Sequence, residues 1–171
     1  QFADSIYEVI ACIGGVLADE RGHLDRLQRS LKEIGMPMPL PRRSLQKAIH
    51  ELLRRNKLKN AAVYIQVTRG VHKRDFPFPP AGTKQTLVIT AWPFDFKNNP
   101  KIKNGIKVAS VPDLRWKRRD IKTTALVAQV LAKQKAVDKG AYEAWLVDDK
   151  GFVTEGSSSN AWIVTRDGKL Q

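Results

Sequence analysis

The 171-residue sequence has a single cysteine and lacks a long apolar run, and each shortage excludes a class of protein. Cys12 alone cannot form an internal disulfide, so a disulfide-stapled scaffold is excluded and a reducing, cytoplasmic setting is expected. No apolar run approaches the roughly 20 residues that a membrane helix needs, so no membrane partner is expected. The first residues also lack the basic start and the small-residue exit of a signal peptide.

Motifs for metal and nucleotide binding are absent as well. There is no cysteine pair and no His-x-x-x-His spacing, so the sequence predicts no metal site. Neither a GxGxxG segment nor a P-loop segment occurs, which disfavours dinucleotide and nucleoside triphosphate binding. The histidines His23, His50 and His72 lie far apart in dissimilar contexts, so no Ser-His-Asp arrangement can be argued from them.

A strong positive charge is the one unusual feature of the composition. Thirty Lys and Arg residues against 17 Asp and Glu residues give a formal net charge of +13. Such a field attracts nucleic acid, phosphorylated cofactors or carboxylate substrates. The basic residues are scattered and form no run of five or six, and the usual nucleic-acid modules are missing. Nucleic acid is therefore a disfavoured partner, although a non-catalytic basic module that binds anions or nucleic acid stays open as an alternative.

Hydrophobic spacing predicts an α+β fold in two units. The predicted strands are 6–13, 62–69, 87–92, 106–111, 142–147 and 152–155, and the predicted helices are 24–34, 42–57 and 123–137.

The predicted domain boundary falls in a polar segment that is rich in proline, asparagine and lysine. Residues 97–104 are interpreted as a linker between a small N-terminal domain, 1–96, and the first part of a larger domain, 105–171. The chain starts inside a strand pattern and stops inside a hairpin pattern over 160–171, so truncation at both ends is expected.

A lysine stands at the predicted start of the helix 123–137, in the segment Asp120-Ile121-Lys122-Thr123-Thr124. The positive end of a helix and the nearby arginines would lower the pKa of this amine, which a nucleophilic lysine requires. On spacing alone, a solvated lysine in a basic stretch remains the simpler interpretation.

Two further segments carry polar groups that suit a ligand. The acid Glu155 is followed by Gly156 and the seryl segment 157–159, which suits an anionic or heterocyclic ligand but is equally typical of a polar hairpin loop. Arg26 lies in the first turn of the first predicted helix, away from its apolar stripe. It can bind a phosphate with two donors, or simply pair with Glu33 or Asp25.

Together these segments resemble the fold-type IV pyridoxal-phosphate enzymes, and most closely the D-amino acid aminotransferases of the branched-chain aminotransferase superfamily. The resemblance rests on motifs whose order and spacing match over almost the whole chain, namely SIYEV (5–9), HLDRL (23–27), YIQVTRG (64–70), RW (115–116), DIK (120–122), LAKQ (131–134) and VTEGSSSN (153–160).

The resemblance implies a pyridoxal 5'-phosphate cofactor and the transfer of an amino group from a D-alanine-like amino acid to a 2-oxo acid. It implies that Lys122 binds the cofactor covalently and is the catalytic residue, with Glu155 facing the pyridine nitrogen and Arg26 the phosphate. Ser158 and Ser159 would support ring or phosphate contacts. The resemblance further implies a homodimer in which substrate groups are contributed across the interface.

The substrate side departs from the family pattern at one position. The resemblance places Tyr7 on the substrate side of the ring and Arg74 at the substrate carboxylate. The family's Arg-x-His pair is here Arg74-Asp75-Phe76, so phenylalanine replaces the imidazole and carboxylate recognition is expected to change. A branched-chain transaminase, an amine transaminase and an aminodeoxychorismate lyase remain alternatives, because these enzymes share the cofactor residues and differ in substrate contacts.

Overall fold

A computed structural model describes residues 2–171 and divides them into two compact units. The first unit comprises residues 2–98 together with Arg118–Ala125, and the second comprises Asn99–Lys117 together with Leu126–Gln171. Each unit contains both helices and a sheet, which confirms the α+β class.

The helices and strands follow the alternation that the sequence predicts, with ends that shift by a few residues. In chain order they are β1 (Ser5–Ile13), β2 (Val16–Leu17), α1 (Glu20–Glu33), α2 (Arg42–Arg55), β3 (Ala61–Thr68), β4 (Thr86–Pro93), α3 (Pro100–Asn104), β5 (Val108–Pro112), α4 (Val127–Asp138), β6 (Glu143–Val147) and β7 (Val153–Gly156). Among the helices of residues 2–171, none is long and apolar enough to cross a membrane.

The first unit is an antiparallel sheet covered by α1 and α2. Its strand order is β2-β1-β3-β4, and Tyr7 on β1 lies opposite Gln66 on β3. Because side chains alternate across a strand, Ile6, Glu8 and Ile10 are buried on one face of β1 while Tyr7 lies on the other. The buried face contributes to one apolar core with residues from both helices and from β3, including Leu24, Leu27, Leu31, Leu45, Ile49 and Ile65.

Residues 123 and 124, which belong to the predicted helix 123–137, pair instead with β1 together with Lys122. Thr123 forms an antiparallel bridge with Ile6, the Tyr7 N–H donates to the Lys122 carbonyl at 3.0 Å, and the Thr124 N–H donates to the Ser5 carbonyl at 3.1 Å. These residues pair with β1 instead of forming a helical turn, so α4 begins at Val127 and the prediction that the helix starts at residue 123 is wrong.

The second unit contains a three-stranded sheet with the order β5-β6-β7. The strands β5 and β6 are parallel and joined through α4, whereas β6 and β7 form the predicted antiparallel hairpin. Its core is small and alanine-rich, with Ala132 and Ala136 of α4 packed against Ala144 and Leu146 of β6. The predicted hairpin over 160–171 is present as a single antiparallel bridge between Val164 and Leu170.

The predicted domain bounds remain a proposal. In this structure the segment 118–125 packs with the first unit although it follows the predicted linker 97–104 in sequence. The linker itself contains the single-turn helix α3. The segment 118–125 is drawn to the first unit because its backbone completes hydrogen bonds with the end of β1, a long-range pairing that leaves no local trace in the sequence.

Candidate functional site

Lys122 and Tyr7 are brought together in the first unit. The Lys122 Nζ lies 4.7 Å from the centroid of the Tyr7 ring, and the two residues are also joined through the backbone hydrogen bond described above. An aromatic face attracts an ammonium group, so the ring restrains the amine. The prediction that Lys122 opens a helix is wrong, since α4 starts at Val127. Its position is set by sheet pairing and an aromatic contact, not by a helix dipole.

A second aromatic ring supports Tyr7. The Tyr64 ring on β3 stacks on the Tyr7 ring with centroids 5.5 Å apart. Burial, and to a smaller extent Tyr7, raise the pKa of Tyr64. Its phenol is therefore protonated at neutral pH and donates to Gln66 Oε1 at 2.8 Å. The outer face of β1 and β3 thus presents a layer of aromatic rings to Lys122.

Arg26 is held by a buried carboxylate on β1. Its Nε and Nη2 donate to the two oxygens of Glu8 at 2.5 and 2.6 Å, and His23 Nδ1 lies 2.8 Å from Glu8 Oε2. Burial raises the pKa of Glu8, but the hydrogen bonds from Arg26 and His23 outweigh burial and leave the pKa below its usual value. The suggested pairing of Arg26 with Glu33 or Asp25 is wrong, because the carboxylate that it binds is Glu8. Its role as a phosphate ligand stays a prediction.

In the second unit, Glu155 is bound to an arginine. Arg115 donates through Nε and Nη2 to the two oxygens of Asp113, each at 3.0 Å, and through Nη1 to Glu155 Oε2. Thr154 Oγ1 also donates to Asp113, at 2.7 Å. Burial raises the pKa of Asp113, but these hydrogen bonds bring it well below its usual range. Asp113 is therefore a fixed anion that orients Arg115, which in turn holds the Glu155 carboxylate at the end of β7.

The turn after β7 depends on a glycine. A Cβ on Gly156 would collide with Ser159 Oγ and lie 2.6 Å from the Ser159 carbonyl oxygen, and the Gly156 N–H donates to that carbonyl at 2.9 Å. No side chain fits between them. Gly156 thereby folds the chain so that the hydroxyls of Ser157, Ser158 and Ser159 converge on one carboxylate, Glu143.

Glu143 was missed by sequence reasoning. It is the first residue of β6 and nearly fully buried, which is rare for glutamate unless it is paired. The only local signal is a charged residue between Tyr142 and the apolar run Ala144-Trp145-Leu146, and such residues are usually exposed. The three serines that bind it lie 14 to 16 positions away, so the cluster cannot be found by spacing.

Arg74 lies in the loop after β3, beside a cavity of about 650 Å³ in the first unit. Its guanidinium carbon lies 5.0 Å from the Phe2 ring centroid and 5.7 Å from the Phe76 ring centroid. Those two rings are themselves 5.3 Å apart. Polar side chains that include Thr124 line the same cavity. The structure therefore places Arg74 beside both aromatic rings at the edge of this cavity.

The predicted site residues consequently fall into three described arrangements. Lys122 and Tyr7 are in contact, and Arg74 lines the cavity of the same unit. Arg26 binds Glu8 on the other face of β1 from Tyr7. The remaining predicted residues, Glu155, Ser158 and Ser159, occupy the end of β7 and the turn that follows it in the second unit. The ligand roles of all these residues stay predictions.

Comparison with protein families gives a match over nearly the whole chain. Residues 5–171 match the family described as amino-transferase class IV. The chain is 36% identical to a D-alanine aminotransferase of Bacillus licheniformis over 168 residues, which cover 98% of this chain and 58% of the relative. It is 38% identical to a D-alanine aminotransferase of Staphylococcus haemolyticus over 170 residues, which cover 99% of this chain and 59% of the relative. The chain therefore spans less than two thirds of the length of these relatives.

Solved structures show the same fold. A branched-chain amino acid aminotransferase of Escherichia coli superimposes with a TM-score of 0.84 at 24% identity, covering 99% of this chain and 59% of that chain. A hypothetical aminotransferase from Mycobacterium tuberculosis, solved with alpha-ketoglutarate and PMP bound, gives a TM-score of 0.81 at 19% identity, covering 96% of this chain and 59% of that chain.

Proposed function

The chain belongs to the class IV aminotransferase family, and from this premise we propose that the protein is a pyridoxal 5'-phosphate-dependent aminotransferase. Its reaction moves an amino group from a D-alanine-like D-amino acid to a 2-oxo acid. The observation that carries the proposal is the Lys122 amine, restrained 4.7 Å from the Tyr7 ring centroid. The names of the two D-alanine aminotransferase relatives support the choice of a D-amino acid.

The side chains of this chain fit the cofactor in chemical type. Lys122 supplies a primary amine, Glu155 supplies a carboxylate for the pyridine nitrogen, and the strong positive charge of the chain favours a phosphorylated ligand. When bound, the pyridoxal ring withdraws electrons from the substrate Cα. We therefore assign the residues around Lys122 to the reacting side of the cofactor.

Lys122 has two tasks in this proposal. Its Nζ would hold the cofactor through a covalent bond, and the same amine would move the proton that leaves the substrate Cα. Both tasks require an amine that stays in one place between the two steps. The Tyr7 ring and the pairing of residues 122–124 with β1 supply that restraint.

Glu155 and Arg115 act as a pair. A carboxylate beside a pyridine nitrogen keeps that nitrogen protonated, which lets the ring accept electrons. Arg115 binds Glu155 and is itself oriented by the buried Asp113, so the Glu155 carboxylate is held in one orientation. The proposal therefore includes Arg115 and Asp113 as positioning residues.

Arg74 is proposed to bind the substrate carboxylate, with Phe76 shaping the pocket. An arginine fork matches a carboxylate with two parallel hydrogen bonds. The loop that carries it contains Pro77, Pro79 and Pro80, which restrict the backbone. Phe76 cannot replace the donor of an imidazole, so carboxylate binding depends on Arg74.

The test is a parallel assay of full-length protein with D-alanine, L-leucine and a chiral amine as donors and 2-oxoglutarate as acceptor. We expect a yellow protein that prefers D-alanine. A preference for L-leucine or for the amine would overturn the D-amino acid assignment. A colourless protein whose affinity for DNA or RNA falls steeply with salt would replace the enzyme with an anion-binding module.

Quaternary state and location complete the proposal. We propose a homodimer, as the family resemblance implies, and a cytoplasmic protein, as the buried free thiol of Cys12 suggests. Sedimentation of the full-length protein tests the first point, with a monomer alone contradicting it. Fractionation of the native cells tests the second, with recovery outside the cytoplasm contradicting it.

A further inference from the structure

Arg69, directly after β3, connects three segments of the first unit. Its Nε and Nη2 donate to the two carboxylate oxygens of Asp4, the second at 2.9 Å, and Nη2 also donates to the Ile34 carbonyl at 2.8 Å. The Phe78 ring covers the guanidinium, with its centroid 3.9 Å from the guanidinium carbon. Asp4 precedes β1, Ile34 follows α1, and Phe78 belongs to the loop after β3. Arg69 therefore holds the loop against the ends of β1 and α1.

The loop 69–85, between β3 and β4, is the one that carries Arg74. Thr68 pairs with Thr86, so the loop leaves the sheet and returns to it at the same place. Residues 69–85 form no helix or strand. The position of Arg74 therefore depends on the side-chain contacts that this loop makes with the rest of the first unit.

The Phe78 ring makes such a contact. It packs on Arg69 and lies so close to Gly35, just after α1, that a Cβ on Gly35 would be 3.3 Å from Phe78 Cε2. The phenylalanine is nevertheless 67% exposed. A side chain with that exposure gains little from burial, so its attraction to the guanidinium face of Arg69 accounts for its position.

The hydrogen bonds of Arg69 separate its role from that of Arg74, although both residues line the cavity of about 650 Å³. A carboxylate that binds a guanidinium with two parallel bonds always uses Nη2, either with Nε or with Nη1. Nη2 of Arg69 has two hydrogens, and it already donates to Asp4 and to Ile34. Arg69 therefore cannot grip a substrate carboxylate with two donors while these bonds are intact.

We propose that Arg69 is a positioning residue for substrate recognition: through the Phe78 ring it holds the loop 69–85 so that Arg74 stays at the edge of the cavity. The inference rests on the proposed function and deepens it, because Arg74 is the proposed ligand of the substrate carboxylate. The affinity for amino acids then depends on the contact between Arg69 and Phe78, whereas the affinity for amines without a carboxylate does not.

The first experiment measures opening of the loop in the full-length apoprotein. Trypsin cleaves after Lys73 and Arg74 when this part of the chain opens enough to enter the protease. Phe78→Ala should make this cleavage about fivefold faster, because it removes the ring that stacks on Arg69. The matched control Phe94→Ala removes a ring that packs on Phe96 after β4, and it should leave the cleavage rate unchanged.

The second experiment compares D-alanine with an amine donor that lacks a carboxylate. Phe78→Ala should raise KM for D-alanine about fivefold, while KM for the amine and the affinity for pyridoxal 5'-phosphate change less than twofold. Phe78→Tyr keeps an aromatic ring on Arg69 and should restore KM for D-alanine. A general disturbance of the fold would instead weaken the use of both donors and would not be restored by tyrosine.

A double variant tests whether Arg69 acts through Phe78. Arg69→Lys keeps the positive charge but lacks the planar guanidinium on which the ring stacks. It should raise KM for D-alanine as Phe78→Ala does. Combining the two substitutions should raise KM no further than the larger single effect, because both remove the same contact.

Three results would overturn the inference. They are an unchanged rate of cleavage in Phe78→Ala, an equal rise in KM for both donors, and a double variant in which the two single effects multiply. If the unaltered full-length protein used neither donor, the proposed function would fail. Trypsin cleavage would then still decide whether the contact between Arg69 and Phe78 holds the loop, while the link to carboxylate recognition would be lost.

Discussion

Arg26 on α1 and Glu8 on the buried face of β1 form a bidentate ion pair, with N–O distances of 2.5 and 2.6 Å. Glu8 is fully buried, whereas Arg26 is partly exposed. A buried carboxylate that loses an ionic partner still carries the free-energy cost of leaving water, and it loses the interaction that offsets most of that cost. The pair therefore stabilises the fold of the first unit, whatever else Arg26 binds.

Arg26→Ala should lower the free energy of unfolding by about 2 kcal/mol, which is less than for a fully buried pair because Arg26 is partly exposed. Glu8→Gln in the Arg26→Ala background should recover part of the loss, since the buried group is then neutral. Chemical denaturation of the full-length apoprotein measures both. A loss of cofactor affinity in Arg26→Ala with unchanged apoprotein stability would instead make Arg26 mainly a phosphate ligand.

The pairing of Arg26 with Glu8 shows where sequence reasoning stops. Periodicity located α1, α2 and β1 because an apolar face leaves a regular trace, and the leucines of α1 do lie in the core. The start of α4 was misplaced because residues 122–124 exchange helix formation for hydrogen bonds with β1. Partners such as Glu8, 18 positions from Arg26, are chosen by the packing of a helix on a strand and have no local signature.

The ion pair between Asp113 and Arg115 is expected to stabilise the second unit. Arg115→Ala removes the guanidinium that binds both the buried Asp113 and Glu155. We expect the variant to be less stable by about 3 kcal/mol and to bind cofactor more weakly. Asp113→Asn should be milder in stability, because it leaves a neutral group in the buried position. Equal stability of Arg115→Ala and the unaltered protein in a denaturation series would contradict this account.

Acid should weaken the second unit through Glu143. Burial raises the pKa of Glu143, but hydrogen bonds from the seryl hydroxyls and from the Ala144 N–H outweigh it and bring the pKa to about 2, against 4.5 for the free group. Because the pKa of Glu143 is lower in the folded state than in the unfolded state, the ionised carboxylate stabilises the fold at pH values above about 4.5. This stabilisation disappears as the pH falls from about 4.5 toward 2. The difference is worth about 3 kcal/mol.

Comparison of the unaltered protein with Glu143→Gln over that pH range isolates this contribution. Glutamine does not titrate, so the stability difference between the two proteins should shrink as the pH falls through that range at constant ionic strength. Lys133 faces Glu143 from α4 at 3.3 Å and is present in both proteins. A stability difference that stays constant with pH would show that the charge of Glu143 does not contribute to the free energy of unfolding.

Arg74 is expected to decide carboxylate recognition. Arg74→Ala should raise KM for D-alanine about tenfold or more while cofactor affinity stays intact, and an uncharged amine donor should hardly be affected. The matched variant Phe76→His restores the imidazole of the family pattern and should lower KM for D-alanine. If Arg74→Ala weakened the use of both donors equally, Arg74 would have a structural role through its contacts with the Phe2 and Phe76 rings.

Lys122 is the residue on which the proposed site depends. Lys122→Ala removes the amine that binds the cofactor and moves the substrate proton, so both steps fail and kcat should fall by about four orders of magnitude or more. The variant should also lose the visible absorption of lysine-bound cofactor and the adduct that borohydride traps. Lys117→Ala removes a lysine from the same basic stretch and should retain all three signals, because Lys122 is the lysine that Tyr7 and the end of β1 restrain. Peptide mapping of the borohydride adduct decides the assignment. An adduct on a peptide that contains Lys117 or Lys133, with Lys122 unmodified, would place the covalent bond elsewhere. The contact between Lys122 and Tyr7 would then have no catalytic role.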